Sequence, residues 1–199
     1  MGDSFETRPS LLLRLGDPSD QTAWEEFTSL YWPVIYRLAR KRGLQDADAQ
    51  DLAQKILLTL SRKIADWKPS TESGAFRGWL SVVTRNVTLN MLSRRKQDVP
   101  RGGTSMLQQL ASLPEPEDVD REFELEYRRA LFRMAADEIR SEFQPATWSS
   151  FWLTAVEGLT VEEAAEHLGL QIGSIYAGRS RVMRRLKQKI QDIETSAAE

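Results

Sequence analysis

The C-terminal part of the sequence carries side chains suited to binding a polyanion. Residues 171–190 contain no acid, and their cations are Arg179, Arg181, Arg184, Arg185, Lys187 and Lys189. Arginine binds phosphate or makes paired hydrogen bonds to guanine, and Gln or Ser side chains reach base edges or phosphate oxygens. These residue types predict DNA binding with a mixed readout of bases and backbone.

The residues before this basic run predict a helix-turn-helix. Thr160, with Glu163 three residues later, predicts a capping box, and Gly169 suits the left-handed conformation that ends a helix. A second helix then opens at Ile172. Two short helices joined by a tight glycine turn can place the N-terminus of the second helix in a major groove. The side chains left to meet DNA are Gln171, Ser174, Tyr176, Ala177, Arg179, Ser180 and Arg181. Gly178 lies inside this helix, where glycine destabilises the helix by about 1 kcal/mol relative to alanine. It either permits close backbone approach or is simply tolerated at this cost.

A second acid-free stretch lies between Ala75 and Gln97. Its helical periodicity places Phe76, Trp79, Leu80, Val83, Val87 and Met91 on one side. The other side is basic and hydroxylic, with Arg77, Ser81, Thr84, Arg85, Thr88, Arg95 and Lys96. A solvated helix face usually mixes both signs of charge to form pairs, so we expect this face to contact phosphate or bases.

Few residues are available for catalysis or for metal binding. The sequence has no cysteine and a single histidine, His167, so thiolate and multi-histidine metal sites are excluded. The one tight set of carboxylates is Asp46, Asp48 and Asp51, which spread around more than half a turn of a helix and fit a helix cap better than a metal site. We therefore expect no enzymatic activity, no metal and no cofactor.

Composition and charge distribution predict two small helical domains. The 199 residues are 41% hydrophobic and 28% charged, with a formal net charge of −2, and apolar residues recur at helical spacing, which predicts an all-α fold. Proline, glycine and acids cluster in residues 98–120, which is the composition of a flexible acidic linker. The predicted domains are therefore 1–97 and 121–199. No apolar run reaches the roughly 20 residues of a membrane span, and Met1 to Leu15 does not resemble a signal peptide; we expect a cytoplasmic protein.

Two details of the N-terminal helices bear on function. Pro33 lies inside a helix that begins after Ser19 or Asp20 and ends near Arg42, so we expect a kink or break near Tyr31. In the next helix, from Asp46 to Ile64 or beyond, Leu58 is an apolar residue on an otherwise charged face. It is either a singly exposed leucine or part of a docking surface for a partner.

Three groups of motifs follow one another along the chain. They are Asp46-Ala47-Asp48-Ala49-Gln50-Asp51-Leu52-Ala53-Gln54, then Phe76-Arg77-Gly78-Trp79-Leu80 with Thr84-Arg85-Asn86 and Arg94-Arg95-Lys96, and finally the unit from Leu159 to Leu186. Together they resemble sigma factors of the extracytoplasmic-function (ECF) type, and the resemblance covers nearly the whole chain.

The resemblance implies a function in transcription initiation. The N-terminal domain, sigma region two, would bind the clamp helices of the largest subunit of core RNA polymerase, and recognise and melt the promoter −10 element. The C-terminal domain, region four, would recognise the −35 element. The implied polymerase-binding residues are Asp51, Gln54, Lys55 and Leu58. The implied −10 contacts are Lys68, Ser70, Ser73, Arg77, Arg85, Asn86, Arg94 and Arg95, and an anti-sigma factor stays open as a further partner.

The alternative is a transcriptional regulator with a C-terminal helix-turn-helix and an N-terminal sensing domain. The acid-free stretch between Ala75 and Gln97 argues against it, because a sensing domain does not need a second nucleic-acid face. An enzyme acting on nucleic acid is the other alternative, and it lacks a suitable carboxylate cluster.

Overall fold

A computed structural model describes residues 7–67, 75–98 and 116–195. All regular structure within these residues is helical, as the sequence predicts. The described residues divide into two compact units, with the division between Ala130 and Leu131. In the described part of the chain, no helix is both long enough and apolar enough to cross a membrane.

Within its described residues, the N-terminal unit contains four helices and the first part of a fifth. They are α1 (Pro9–Arg14), α2 (Gln21–Lys41), α3 (Asp46–Lys63, followed by a 3-10 turn at Ile64–Asp66), α4 (Ala75–Asp98) and the start of α5 (Pro116–Ile139). Buried side chains from α2, α3 and α4 share one core cluster, and the predicted inner face of α3 lies in it. The cluster consists of Ile35, Ala39, Leu44, Ala49, Leu52, Ala53, Ile56 and Met91.

Helix α2 begins where the sequence predicts and does not break at Pro33. The carboxylate of Asp20 accepts a hydrogen bond from the backbone N–H of Ala23 at 2.9 Å, which caps the helix. The helix then continues from Gln21 to Lys41 with Pro33 inside it, so of the expected kink or break, the break does not occur. Buried residues on both sides of the proline, among them Phe27 and Leu38, hold the two halves in the same unit although one backbone donor is missing.

The first part of α5 belongs to the N-terminal unit. Phe123 and Tyr127 are almost fully buried, and both stack against Tyr31 of α2, with ring centroids 6.4 and 5.5 Å apart. The division of the chain therefore differs from the predicted boundary at Arg121, because these two aromatic rings pack in the N-terminal unit. Of the predicted linker at 98–120, residues 116–120 are helical, and residues 99–115 lie outside the described part.

The C-terminal unit contains the rest of α5, a 3-10 turn and three further helices. They are the turn Arg140–Glu142, α6 (Pro145–Ala155), α7 (Val161–Leu168) and α8 (Ile172–Thr195). Helices α7 and α8 form the predicted helix-turn-helix, and Gly169 between them has φ of 64°. A residue with a Cβ would be strained there.

Gly178 explains how closely α8 packs on α6. The glycine is buried, and a Cβ at this position would lie 3.0 Å from Ser150 Cβ and 3.4 Å from the Thr147 carbonyl oxygen. Of the two interpretations left open by the sequence, close backbone approach is the correct one.

Candidate nucleic-acid interface

The N-terminal half of α8 presents an exposed face opposite its buried one. Ile175, Gly178, Val182 and Leu186 are buried, and the helix period places polar and small residues on the other side. Every residue that the sequence selects for DNA contact in this unit is exposed. They are Gln171, Ser174, Tyr176, Ala177, Arg179, Ser180 and Arg181.

Local interactions hold this face in place. Thr160 Oγ1 accepts a hydrogen bond from the Glu163 backbone N–H at 3.2 Å, and the Thr160 backbone N–H donates to Glu163 Oε2 at 2.8 Å. This is the predicted capping box, and its hydrogen bonds lower the pKa of Glu163. Ile175 of α8 packs in one buried cluster with Val161, Ala164 and Ala165 of α7. The cap fixes the start of α7, and the cluster packs α8 against α7.

The cations of α8 fall into two groups. Arg185 donates two hydrogen bonds to the Glu142 carboxylate, at 2.6 and 2.7 Å, which raise the pKa of Arg185, and Lys189 pairs with Glu138. Arg179 and Arg184 are exposed instead. Arg184 is not among the residues that the sequence selects for DNA contact, although it follows Ser180 by four positions and therefore shares its face.

The basic face predicted for α4 is largely buried. Arg77 is 6% exposed; its Nε donates to Glu124 Oε2 at 2.7 Å, and its guanidinium lies 4.7 Å from the centroid of the Tyr127 ring. Ser81 donates to Asp120. The first part of α5 therefore covers this side of α4, whereas helical periodicity alone placed it at the surface.

The other predicted −10 residues differ in position. Arg85 is partly buried, and Asn86 is exposed. Arg85 Nε and Thr84 Oγ1 are buried and have no hydrogen-bond partner within the described residues. Lys68, Ser70 and Ser73 lie outside the described part of the chain, as do the side chains of Arg94 and Arg95.

A groove of about 600 Å³ lies between α3 and α4. It brings together three of the four predicted polymerase-binding residues: Asp51, Lys55 and Leu58. Leu58 is 52% exposed, and Lys55 pairs with Asp51 at 2.6 Å. Gln54 is exposed on α3 but does not line the groove. The far wall comes from α4 and carries Val83, Asn86, Val87, Asn90 and Met91, so the groove has an apolar base and a polar rim.

Glu126 of α5 is the most buried acid in the N-terminal unit among the described residues, at 1% exposed. Its carboxylate pairs with Arg37 and Lys41 at 2.8 Å each and with Arg129 at 2.6 Å. Burial raises the pKa of a carboxyl group, but these three cations outweigh that effect and hold the Glu126 pKa at about 2. Glu126 is therefore an ionised anchor that joins α5 to α2.

Two comparisons with known proteins bear on these candidate surfaces. Residues 28–97 match the family model of Sigma-70 region 2, which spans most of α2, all of α3 and nearly all of α4. The chain is 29% identical over 177 residues to the ECF RNA polymerase sigma factor SigE of Mycolicibacterium smegmatis. That similarity covers 87% of this chain and 62% of the relative, so the chain spans about three fifths of the length of the curated relative that it matches.

The family match and the similarity fall on the helices that carry the candidate surfaces. The matched residues include the α3–α4 groove, and the similarity extends over most of the chain. These findings agree with the resemblance predicted from the sequence: residues 28–97 match Sigma-70 region 2, and most of the chain is similar to an ECF RNA polymerase sigma factor.

Proposed function

We propose that this protein is a sigma factor that binds core RNA polymerase and directs transcription initiation from specific promoters. The C-terminal unit recognises the −35 element, and the N-terminal unit recognises and melts the −10 element. The observation that carries the proposal is the pair of surfaces in one chain: a region 2 domain with an open groove, and a helix-turn-helix whose second helix exposes its selected DNA-binding residues.

The −35 contact is supported by the surface of α8. Arg179, Arg181 and Arg184 are exposed, and so are Gln171 and Ser174 at the start of the helix. Cations for phosphate and polar groups for base edges are therefore both available on this unit. Arg185 and Lys189 are engaged by Glu142 and Glu138. We therefore assign the DNA contact to the N-terminal half of α8.

The polymerase contact is supported by the α3–α4 groove. An exposed leucine beside the Asp51–Lys55 ion pair combines apolar area with charge at the rim, which is typical of a binding surface. These features support the α3–α4 groove as the surface that contacts the proposed clamp helices.

The test is reconstitution with bacterial core polymerase on a pooled promoter library, with a readout of which templates open and start RNA. Arg85→Ala should weaken promoter opening, and Arg179→Ala should weaken binding to the upstream duplex, with the smaller salt dependence expected after loss of a phosphate contact. Arg133→Ala removes an exposed arginine from α5 in the C-terminal unit and is the matched control. Equal loss of both steps in both variants would contradict this division of labour.

Leu58→Ala tests the polymerase contact. Because Leu58 is 52% exposed, its truncation should leave the fold intact and weaken binding to core polymerase about tenfold. Leu13→Ala, at a leucine 70% exposed in α1, is the control, and binding can be measured by biolayer interferometry. If both variants bind as the unchanged protein does, the groove is not the docking surface.

A further inference from the structure

The strongest unexplained feature is the acidic start of α5. We call residues 120–127 the acidic segment; its acids are Asp120, Glu122, Glu124 and Glu126. It lies outside the residues that match region 2, yet it packs within the N-terminal unit. Glu126 is buried, and Glu122 and Glu124 are only partly exposed. A merely solvated acidic stretch would not show this burial, so these contacts call for another explanation.

Each acid of this segment meets a polar or cationic group of α2 or α4. Glu122 pairs with Arg42 at 3.1 Å, Glu124 with Arg77 at 2.7 Å, and Glu126 with Arg37 and Lys41, while Asp120 accepts a hydrogen bond from Ser81. The donors that bind these carboxylates are of the kind that also bind the phosphate oxygens of a nucleic acid. The carboxylates of the acidic segment therefore take the place that phosphates would occupy.

The contact also leaves some donors unused. Arg77 Nη1 is buried and has no hydrogen-bond partner within the described residues, and the same holds for Arg85 Nε. A buried donor without a partner is unfavourable. A phosphodiester has two non-bridging acceptor oxygens, as a carboxylate has, but consecutive phosphates of one strand supply further acceptors for the guanidinium atoms that Glu124 leaves unpaired.

Aromatic packing stabilises the form in which the acidic segment covers Arg77. Phe123 and Tyr127 are each 1% exposed, and the Arg77 guanidinium stacks on the Tyr127 ring. The segment is therefore held by apolar burial as well as by charge. A competitor must supply several contacts at once, as a single strand with consecutive phosphates does.

We propose that the acidic segment is an internal ligand of the N-terminal unit, covering Arg77 and competing with single-stranded DNA for it. The proposal rests on the proposed function, because it assumes that the region two domain contacts single-stranded promoter DNA through Arg77. Displacement of the segment exposes Arg77, and the strand then replaces the carboxylate of Glu124. The segment thereby limits binding of isolated sigma to single strands.

The test measures binding of the full chain, without polymerase, to a fluorescein-labelled single-stranded oligonucleotide by anisotropy. Glu124→Gln removes the charge that faces Arg77 and keeps the side-chain size. We expect about fivefold tighter binding, and a plot of log K against log salt that is steeper by about 0.7 for one added phosphate contact. Glu25→Gln removes one exposed acid from α2 of the same unit, and this matched control should bind as the unchanged chain does.

Two further measurements tie the effect to Arg77 and to the position of the segment. In the Glu124→Gln background, Arg77→Ala should abolish the gain in affinity. The sequence has no cysteine, so the double substitution Ser81→Cys and Asp120→Cys introduces one pair across the contact; oxidation should reduce oligonucleotide binding, and a reductant should restore it.

The proposal is overturned if Glu124→Gln binds the oligonucleotide no more tightly than the unchanged chain, or if the gain persists without Arg77. It is also overturned if the oxidised and reduced forms of the cysteine pair bind alike, since the segment would then be purely structural. None of these measurements contains polymerase. Failure of the proposed function would appear separately, as absence of core binding and promoter opening in the reconstituted system.

Discussion

The two basic helices, α4 and α8, expose their cations very differently. Arg77 of α4 is buried against Glu124 and Tyr127, whereas Arg179, Arg181 and Arg184 of α8 are exposed. Most of each helix lies in an acid-free stretch of sequence, residues 75–97 for α4 and 171–190 for α8, so the residues of the helices themselves do not account for the difference. An acid-free helix marks a surface that attracts anions, but the anion can be supplied by the same chain.

The way each helix is held accounts for this difference. The packing that holds α8 comes from its buried side, where Gly178 allows close approach to α6 and Ile175 packs on α7, so the opposite side is open. Helix α4 is contacted on two sides, by the α3 core through Met91 and by α5 through Arg77 and Ser81. The predicted DNA surface of α8 is therefore already exposed. The predicted DNA surface of α4 is available only when the acidic segment is displaced.

The largest expected effect comes from removing the anchor of the acidic segment. Glu126→Gln leaves Arg37, Lys41 and Arg129 without their shared carboxylate, and we expect the free energy of unfolding of the N-terminal unit to fall by about 2–3 kcal/mol. Hydrogen exchange followed by mass spectrometry should show faster exchange in α2 and unchanged exchange in α8. Glu138→Gln, which removes the exposed partner of Lys189, is the control and should change stability by less than about 1 kcal/mol. An equal loss in the two variants would refute the role given to Glu126.

Acid should reproduce the effect of Glu126→Gln. The pKa of Glu126 is lowered from 4.5 to about 2, so its ionised form stabilises the fold fully above pH 4.5, and this contribution is lost as the pH falls toward 2. The difference in unfolding free energy between Glu126→Gln and the unchanged protein should therefore shrink across this range, as measured by urea unfolding at each pH. A difference that stays constant from pH 7 to about 2 would contradict the ionised anchor.

A smaller effect is expected where α8 meets α6. Gly178→Ala places a Cβ 3.0 Å from Ser150 Cβ, a position fixed by the α6 backbone. Overpacking outweighs the gain in helix propensity, so we expect a net loss of about 1 kcal/mol, measured by thermal unfolding of the C-terminal unit. Gly173→Ala lies on the same helix with nothing within 4 Å of the added Cβ, and it should be neutral or slightly stabilising. Equal stability of the two variants would show that α8 does not need the glycine.

The smallest effect is expected at the cap of α7. Thr160→Ala removes the side-chain half of the capping box and should destabilise the helix-turn-helix by up to about 1 kcal/mol. The affinity for duplex DNA should fall only slightly, since α8 keeps its exposed face. A loss of duplex binding as large as that of Arg179→Ala would show that the cap positions the DNA-binding face more tightly than its local contacts suggest.

The sequence by itself determined the helices, the caps and the exposed face of α8. The capping box at Thr160, the glycine turn at Gly169 and the cap at Asp20 all depend on residues a few positions apart, so local spacing is sufficient to predict them. The family resemblance is likewise carried by short motifs. The same local reasoning predicted a kink or break near Pro33, and α2 continues through this position without a break.

Only the tertiary structure decided which charged residues meet. Arg77 and Glu124 are 47 positions apart, and Arg37 and Glu126 are 89 positions apart. No periodicity along one helix reveals such pairs, because they form only when separate helices pack. The need for glycine at position 178 was decided in the same way, by the approach of the α6 backbone. An acidic run next to a linker has the same composition whether it is solvated or bound to its own chain, and burial of Phe123 and Tyr127 decides between the two.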